Sequence, residues 1–290
     1  MFPIIPAASA ADSGNQEGIF GFGYNSGSTA VSNLVSNTGV VATDVAGVGT
    51  ARYGIKATQY GGDKGIFAYG NGGSMESMSN LVSNAGVVST DVAGVGTARY
   101  KVAACSYGED KGIFRGGATN PPVLGTSNLV SNAGVVATDV AGVGTARAAS
   151  AACEYGGDKG IIGFGYLASN TGITNLVSNV GVVATDVAAV GTARSGVAAC
   201  SYGDDKGIFG FAGYTNLVSN AGVVATDIAQ VGTARTQLVA CEYGRDKGIF
   251  GFGSGRTNIT NLVSNTGVIA SDQAATTGTA RDELGACSFN

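Results

Sequence analysis

Short apolar runs alternate with polar corners along almost the whole chain. Residues 101–107 (KVAACSY) lead into the corner Gly108-Glu109-Asp110, and residues 111–114 (KGIF) into a variable stretch that ends at Ser127. Asn128-Leu129-Val130 then turns through Ser131-Asn132-Ala133-Gly134 into residues 135–140, and the link 141–147 (AGVGTAR) opens the next cycle. β-Branched and aromatic runs between Gly, Asn and Asp corners are strand-and-turn chemistry. Helical spacing is absent, and the corners come too often for helices of useful length. The pattern therefore predicts four short antiparallel strands per cycle.

The cycle repeats. Asn-Leu-Val-Ser-Asn begins at Asn33, Asn80, Asn128, Asn175, Asn216 and Asn261, a period of about 46 residues. A period of that size signals a repeat architecture. In residues 18–23 (GIFGFG), strand alternation puts Phe20 and Phe22 on one face and Ile19 with the glycines on the other. The pattern recurs at Phe67/Tyr69, Phe209/Phe211 and Phe250/Phe252, with Ile162/Phe164 varied and Arg115 standing where other copies have Gly or Ala. A bulky face against a neighbour's small face suits stacked sheets.

The first cycle starts at its second strand, from Gln16, and residues 284–290 (LGACSFN) read as a first strand without a second. Joined, the two make one whole module and leave no open sheet edge. The expectation is an all-β, six-bladed β-propeller of four-stranded antiparallel blades over residues 16–290, closed by the C-terminal strand. Residues 1–15 lack the basic start and unbroken apolar core of a signal peptide and are expected to form an exposed arm, kept extended by Pro3 and Pro6.

Composition narrows the function. The chain has 16 basic and 20 acidic residues, which gives no basic field for nucleic acid. No apolar run approaches the ~18 residues of a membrane helix. Histidine and tryptophan are absent, which removes the usual general base and the commonest metal ligand. A Ser-His-Asp arrangement is thus excluded, and neither a cofactor nor a metal is expected. Only carboxylates remain for catalysis, and Glu76 and Glu283 are the acids that break the repeat. The five cysteines (Cys105, Cys153, Cys200, Cys241, Cys287) recur at one module position, with Thr58 in the first copy. An odd count without Cys-x-x-Cys pairs reads as small buried thiols, suited to a reducing cytoplasm.

The aliphatic strand, the Gly-aromatic strand and the Gly-Thr-Ala-Arg link (Arg52, Arg99, Arg147, Arg194, Arg235, Arg281) resemble kelch repeats. Modules of the type TNLVSNTGVVATD…GTAR…YGGDKGIFGFG are similar to those of bacteriophage propeller proteins. That resemblance implies a virion structural or tail-associated protein, made in the host cytoplasm, with other virion proteins and host surface glycans as partners.

Three residue sets are candidates for function. Asp44 with Arg52, Asp91 with Arg99, Asp139 with Arg147, Asp186 with Arg194, Asp227 with Arg235, and Asp272 with Arg281 recur in register. Six near-identical copies favour a structural tie between the fourth strand and the link over a ligand-binding ring. Lys64, Lys111, Lys159, Lys206 and Lys247, each after an Asp, read as solvated corner charges. The third set is where modules differ. One variable segment lies between the second and third strands: Tyr24, Asn25, Asn71, Met75, Met78, Asn120, Pro121, Pro122, Tyr166, Asn170, Tyr214, Arg256 and Asn258. The other follows the link Arg, as in Tyr100-Lys101 and Asp282-Glu283. Both should emerge on one face, opposite the near-constant corners, and diversified loops on a rigid scaffold suit recognition. The expectation is a non-enzymatic virion binding module. A cellular carbohydrate-binding lectin or adhesin is the alternative, and a carboxylate-only glycosidase is a third reading.

Overall fold

The computed structural model describes residues 16–274, 276 and 278–290. The arm expected over residues 1–15 lies outside them. Among the described residues six antiparallel sheets of three or four strands, with one short two-stranded hairpin, carry the chain, and none of these residues is helical. In the second sheet Lys56–Tyr60, Lys64–Ala68 and Ser79–Val82 are the inner, middle and outer strands. Their register runs from Lys56 opposite Ala68 to Tyr60 opposite Lys64, and Phe67 faces Asn80. The hairpin corner places Gly61 and Gly62 in the left-handed region, with φ of 65° and 79°. That is why a glycine leads this corner in later copies too.

The first sheet is assembled from both ends of the chain. Gly285–Phe289 pairs with Glu17–Tyr24, Gly285 opposite Gly21 and Phe289 opposite Glu17, and Ser28–Val35 completes the sheet. The inner strands Lys56–Tyr60, Ala103–Tyr107, Ala151–Tyr155, Ala198–Tyr202, Val239–Tyr243 and Gly285–Phe289 all line one central channel. Each packs beside the next, and the last packs beside the first. The architecture is propeller-like.

Two circuits of backbone hydrogen bonds follow the channel's ends. At one end the residue after each link passes its N–H to the preceding link: Lys101 to Gly54, Ala149 to Lys101, Gly196 to Ala149, Gln237 to Gly196, Glu283 to Gln237 and Gly54 to Glu283. At the other end the hairpin corners do the same, Gly61 to Asp110, Gly108 to Asp158, Gly156 to Asp205 and Gly203 to Asp246, continued by Gly244 to Gln16 and Asn290 to Asp63.

Two expectations about the sheets need correction. The fourth strand is reduced to isolated bridges such as Val35–Val41 and Ser32–Val45, and among the described residues only the fifth sheet has a fourth strand, Ile228–Ala229. The gap between those bridges is filled by the repeated Asn. The Asn33 amide donates to Ala42 O at 3.0 Å and to Asp44 Oδ1 at 2.8 Å, satisfying with a side chain what a ladder would satisfy with backbone. The second correction concerns the aromatic pair. Phe20 packs against Phe252 of the sixth sheet, whereas Phe22 packs against Phe67 of the second. The two rings face opposite neighbours because Phe22 is left-handed, at φ 61°, where the register of its strand shifts. Tyr69, Phe164, Phe211 and Phe252 share that conformation.

The small-against-large packing does hold, with the cysteines included. Each free, buried thiol presses into the middle-strand glycine of an adjacent sheet; a Cβ on Gly18 would sit 2.6 Å from Cys241 Sγ. Burial pushes these thiols up, Cys287 to about 12, so they stay protonated.

Candidate functional site

The Asp–Arg pairs are the interior mortar. Arg281 is fully buried; it donates from Nε to Phe22 O at 2.8 Å, from Nη1 to Thr279 O at 2.9 Å and from Nη2 to Asn33 Oδ1 at 2.7 Å. Its carboxylate partner is Asp44, at 4.0 Å, which also accepts from the Thr279 N–H and hydroxyl. The pairing is therefore displaced by one module from the expected one. Arg52 pairs with Asp91, Arg99 with Asp139, Arg147 with Asp186, Arg194 with Asp227 and Arg235 with Asp272. Each tie crosses between sheets rather than closing within one. Burial pulls Arg52, Arg147, Arg235 and Arg281 down to about 10, still charged at neutral pH. Burial works against Asp44, but the hydrogen bonds from Thr279 and Asn33 outweigh it and hold the carboxyl below its usual range.

Five of the six arginines also lie over the left-handed aromatic, Arg99 at 4.0 Å from the Tyr69 centroid and Arg52 at 4.7 Å from that of Phe22. The third sheet differs. Gly116 occupies the aromatic's place, and the buried Arg115 one residue earlier donates to Val143 O. Two buried guanidiniums thus lie together, and the Nε of both Arg115 and Arg147 lacks a hydrogen-bond partner among the described residues.

The channel itself is narrow, about 80 Å3. Its polar ring is Gln59, Ser106, Glu154, Ser201, Glu242 and Ser288, the residue after Thr58 or Cys in each inner strand. Ser106 donates to Glu154, and Gln59 donates to Ser288 Oγ at 2.6 Å. Burial, then the neighbouring carboxyl, raises Glu154 to about 8, and burial raises Glu242 to about 7. Among the described residues no cluster of three or more metal-ligating side chains exists.

At the link end the channel opens into a funnel of about 580 Å3. Its wall combines both variable segments, because the loops after the middle strands bridge to the links: Tyr24 to Asp282, Tyr53 to Asn71, Tyr100 to Ala118 and Ala148 to Tyr166. Of the predicted loop residues, Asn120, Pro121 and Tyr166 line the funnel, beside Tyr100, Lys101, Gln237 and Glu283 from the links. The remaining predicted residues lie outside that lining. Tyr24 stacks edge-on with Tyr53, and Arg256 covers Tyr24. Asn71 reaches Met75 Sδ, Met78 O accepts from Tyr69 N–H, and Asn170 pairs with Tyr166 in a short hairpin. Asn25 and Pro122 are exposed, Tyr214 bridges Ala229, and Asn258 is occupied by Thr276 O and Gly278 O. Glu76 stays off the axis, accepting from Ser74.

The sequence reading missed Lys56, which lies at the junction of funnel and channel. Lys56 begins an apolar strand, and its departure from Ala, the residue most copies carry there, was the available signal. The corner lysines pair with the preceding Asp at half-exposed sites, for example Lys247 with Asp246 at 2.9 Å, in keeping with solvated turn charges. No family model matches the chain, and no curated protein matches it.

Proposed function

We propose that the chain is a closed, kelch-like six-bladed β-propeller that serves as a non-enzymatic binding module of a phage virion. The observation that carries this reading is the contrast between its two ends. The corner end is uniform: Val40, Val87, Val135, Val182, Val223 and Val268, each just past the Ser-Asn corner, are all about 62–65% exposed. Such a repeated apolar rim suits a repetitive protein surface such as a particle wall. The funnel end differs in every copy and offers aromatic, amide and charged groups to a ligand. Catalysis finds little support: Glu154 and Glu242 sit in a channel that admits water-sized molecules, and Glu283 is neutralised by Lys101 at 3.1 Å. The virion assignment itself comes from the module sequence.

Mass spectrometry and cryo-imaging of purified particles test the proposal. A fixed copy number and a ring-shaped density with its funnel outward support it. Recovery from host cell fractions alone would replace it with the cellular lectin reading.

A further inference from the structure

Within the funnel, the floor is chemically specific. Glu283 has a side chain only 10% exposed. Its Oε1 accepts from Lys101 Nζ at 3.1 Å and from Gln237 Nε2 at 2.6 Å. Its Oε2 is buried and has no hydrogen-bond partner among the described residues. Lys56 faces the same space, with Glu283 as its electrostatic partner. None of the described residues hydrogen-bonds the Lys56 ammonium. A buried acceptor left open is costly unless a ligand completes it, and beside it stands a half-buried ammonium with no hydrogen-bond partner among the described residues.

These side chains leave the chain at a left-handed backbone position that every copy shares. The six residues of the link-end circuit all have positive φ: Gly54 63°, Lys101 56°, Ala149 52°, Gly196 65°, Gln237 56° and Glu283 53°. Two copies use glycine, as the conformation favours. Lys101, Gln237 and Glu283 carry functional side chains despite the strain, and these three meet in one cluster on the funnel floor.

We infer that the funnel floor binds an acidic sugar, a uronic-acid-type residue at the end of a surface polysaccharide. Two ammoniums, Lys56 and Lys101, face one carboxylate, so the floor favours an anion. A sugar carboxylate accepts from Lys56 Nζ, and a neighbouring ring hydroxyl donates to Glu283 Oε2. Tyr100 and Tyr166 on the wall offer flat apolar surface to the C–H face of the ring. Burial draws Lys56 down to about 8, a desolvation that the ligand's carboxylate would offset. The cavity falls within the ~300–1,000 Å3 typical of small-ligand sites.

The inference rests on the funnel end being the recognition face. Calorimetric titration of the full chain with methyl β-glucuronide and with methyl β-glucoside separates the two claims. The glucuronide is expected to bind with a Kd of about 1 mM, and the uncharged glucoside about tenfold or more weakly. Lys56→Met should erase that preference while leaving the melting temperature unchanged. Equal affinity for both sugars, or binding of neither, overturns the acidic-sugar site, and the wild-type comparison needs no variant to fold. A parallel assay of the labelled protein on host cells isolates the other claim. Cell binding without glucuronide binding leaves the recognition face standing and removes this ligand; absence of both removes the two together.

Discussion

The two ends of the channel share a backbone and differ in everything else. Each carries a circuit of main-chain hydrogen bonds that passes from sheet to sheet. At the corner end the side chains repeat: a Lys beside an Asp, an Asn reaching that Asp, and an exposed Val beyond. At the link end the equivalent positions hold Gly54, Lys101, Ala149, Gly196, Gln237 and Glu283. Backbone closure is therefore indifferent to those side chains, which frees them for chemistry. Stability sits in the repeated parts, and the proposed function puts specificity in the unrepeated ones, as expected of sites grafted onto a scaffold.

The sharpest way to break the scaffold half is to delete residues 284–290. The first sheet then loses its inner strand, and the Cys287 and Phe289 side chains leave the cluster shared with Ile19, Ile55 and Phe67. Loss of cooperative melting and aggregation on size exclusion are expected. A soluble monomer with wild-type melting would refute closure through that strand.

Removing one tie comes next. Arg281→Met strands Asn33 Oδ1 and Phe22 O in the interior, and urea denaturation should register a loss of about 3–5 kcal/mol. Arg147→Met is the informative contrast. Burial and the adjacent Arg115 already disfavour its charge, and Gly116 gives it no ring to cover. Its removal should cost clearly less than that of Arg281, and equal losses would show that the ring and the second guanidinium do not matter.

The channel carboxyls supply a pH-dependent test. Glu154 and Glu242 hold their protons to about 8 and about 7, whereas an unfolded Glu releases its proton near ~4.3. The folded state binds more protons across that window, so stability falls as pH rises from about 4.3 to about 8 and then levels. Glu154→Gln should leave stability at pH 5 nearly unchanged and raise it at pH 8 by on the order of a few kcal/mol, read from denaturation midpoints at the two pH values. The same gain at both would exclude a titrating origin.

Much of this was legible in the chain, and the failures share a cause. The six copies of the pentapeptide predict six sheets, and Glu283 stands out because it breaks the repeat. Asp44 and Arg52 recur in register and read as one pair, yet Arg52 reaches forward to Asp91. In-phase repeats make every module's partner look alike, so sequence cannot say which copy an Arg reaches. Phe20 and Phe22 were put on one face by a period-two rule that a single left-handed residue defeats. The fourth strand was expected from Val-rich residues whose ladder the Asn33 amide replaces. Lys56 is not legible in the sequence because a strand residue announces a site only once its neighbours in space are known.

The smallest effect completes the contrast. Tyr166 is 47% exposed, and Asn120 is exposed beside it on the funnel wall. Tyr166→Ser and Asn120→Gly, the glycine suiting the left-handed φ of 63° at residue 120, remove contact surface from the proposed recognition end without touching the circuits, the arginine ties or the cysteine-lined interior. Surface changes of this kind typically stay within ±0.5 kcal/mol, so melting should be indistinguishable from wild type while attachment to the target surface weakens severalfold. If either substitution lowered melting as much as loss of an interior arginine, the funnel wall would belong to the scaffold. The separation of stability from specificity along the channel would then fail at the point where it makes its strongest claim.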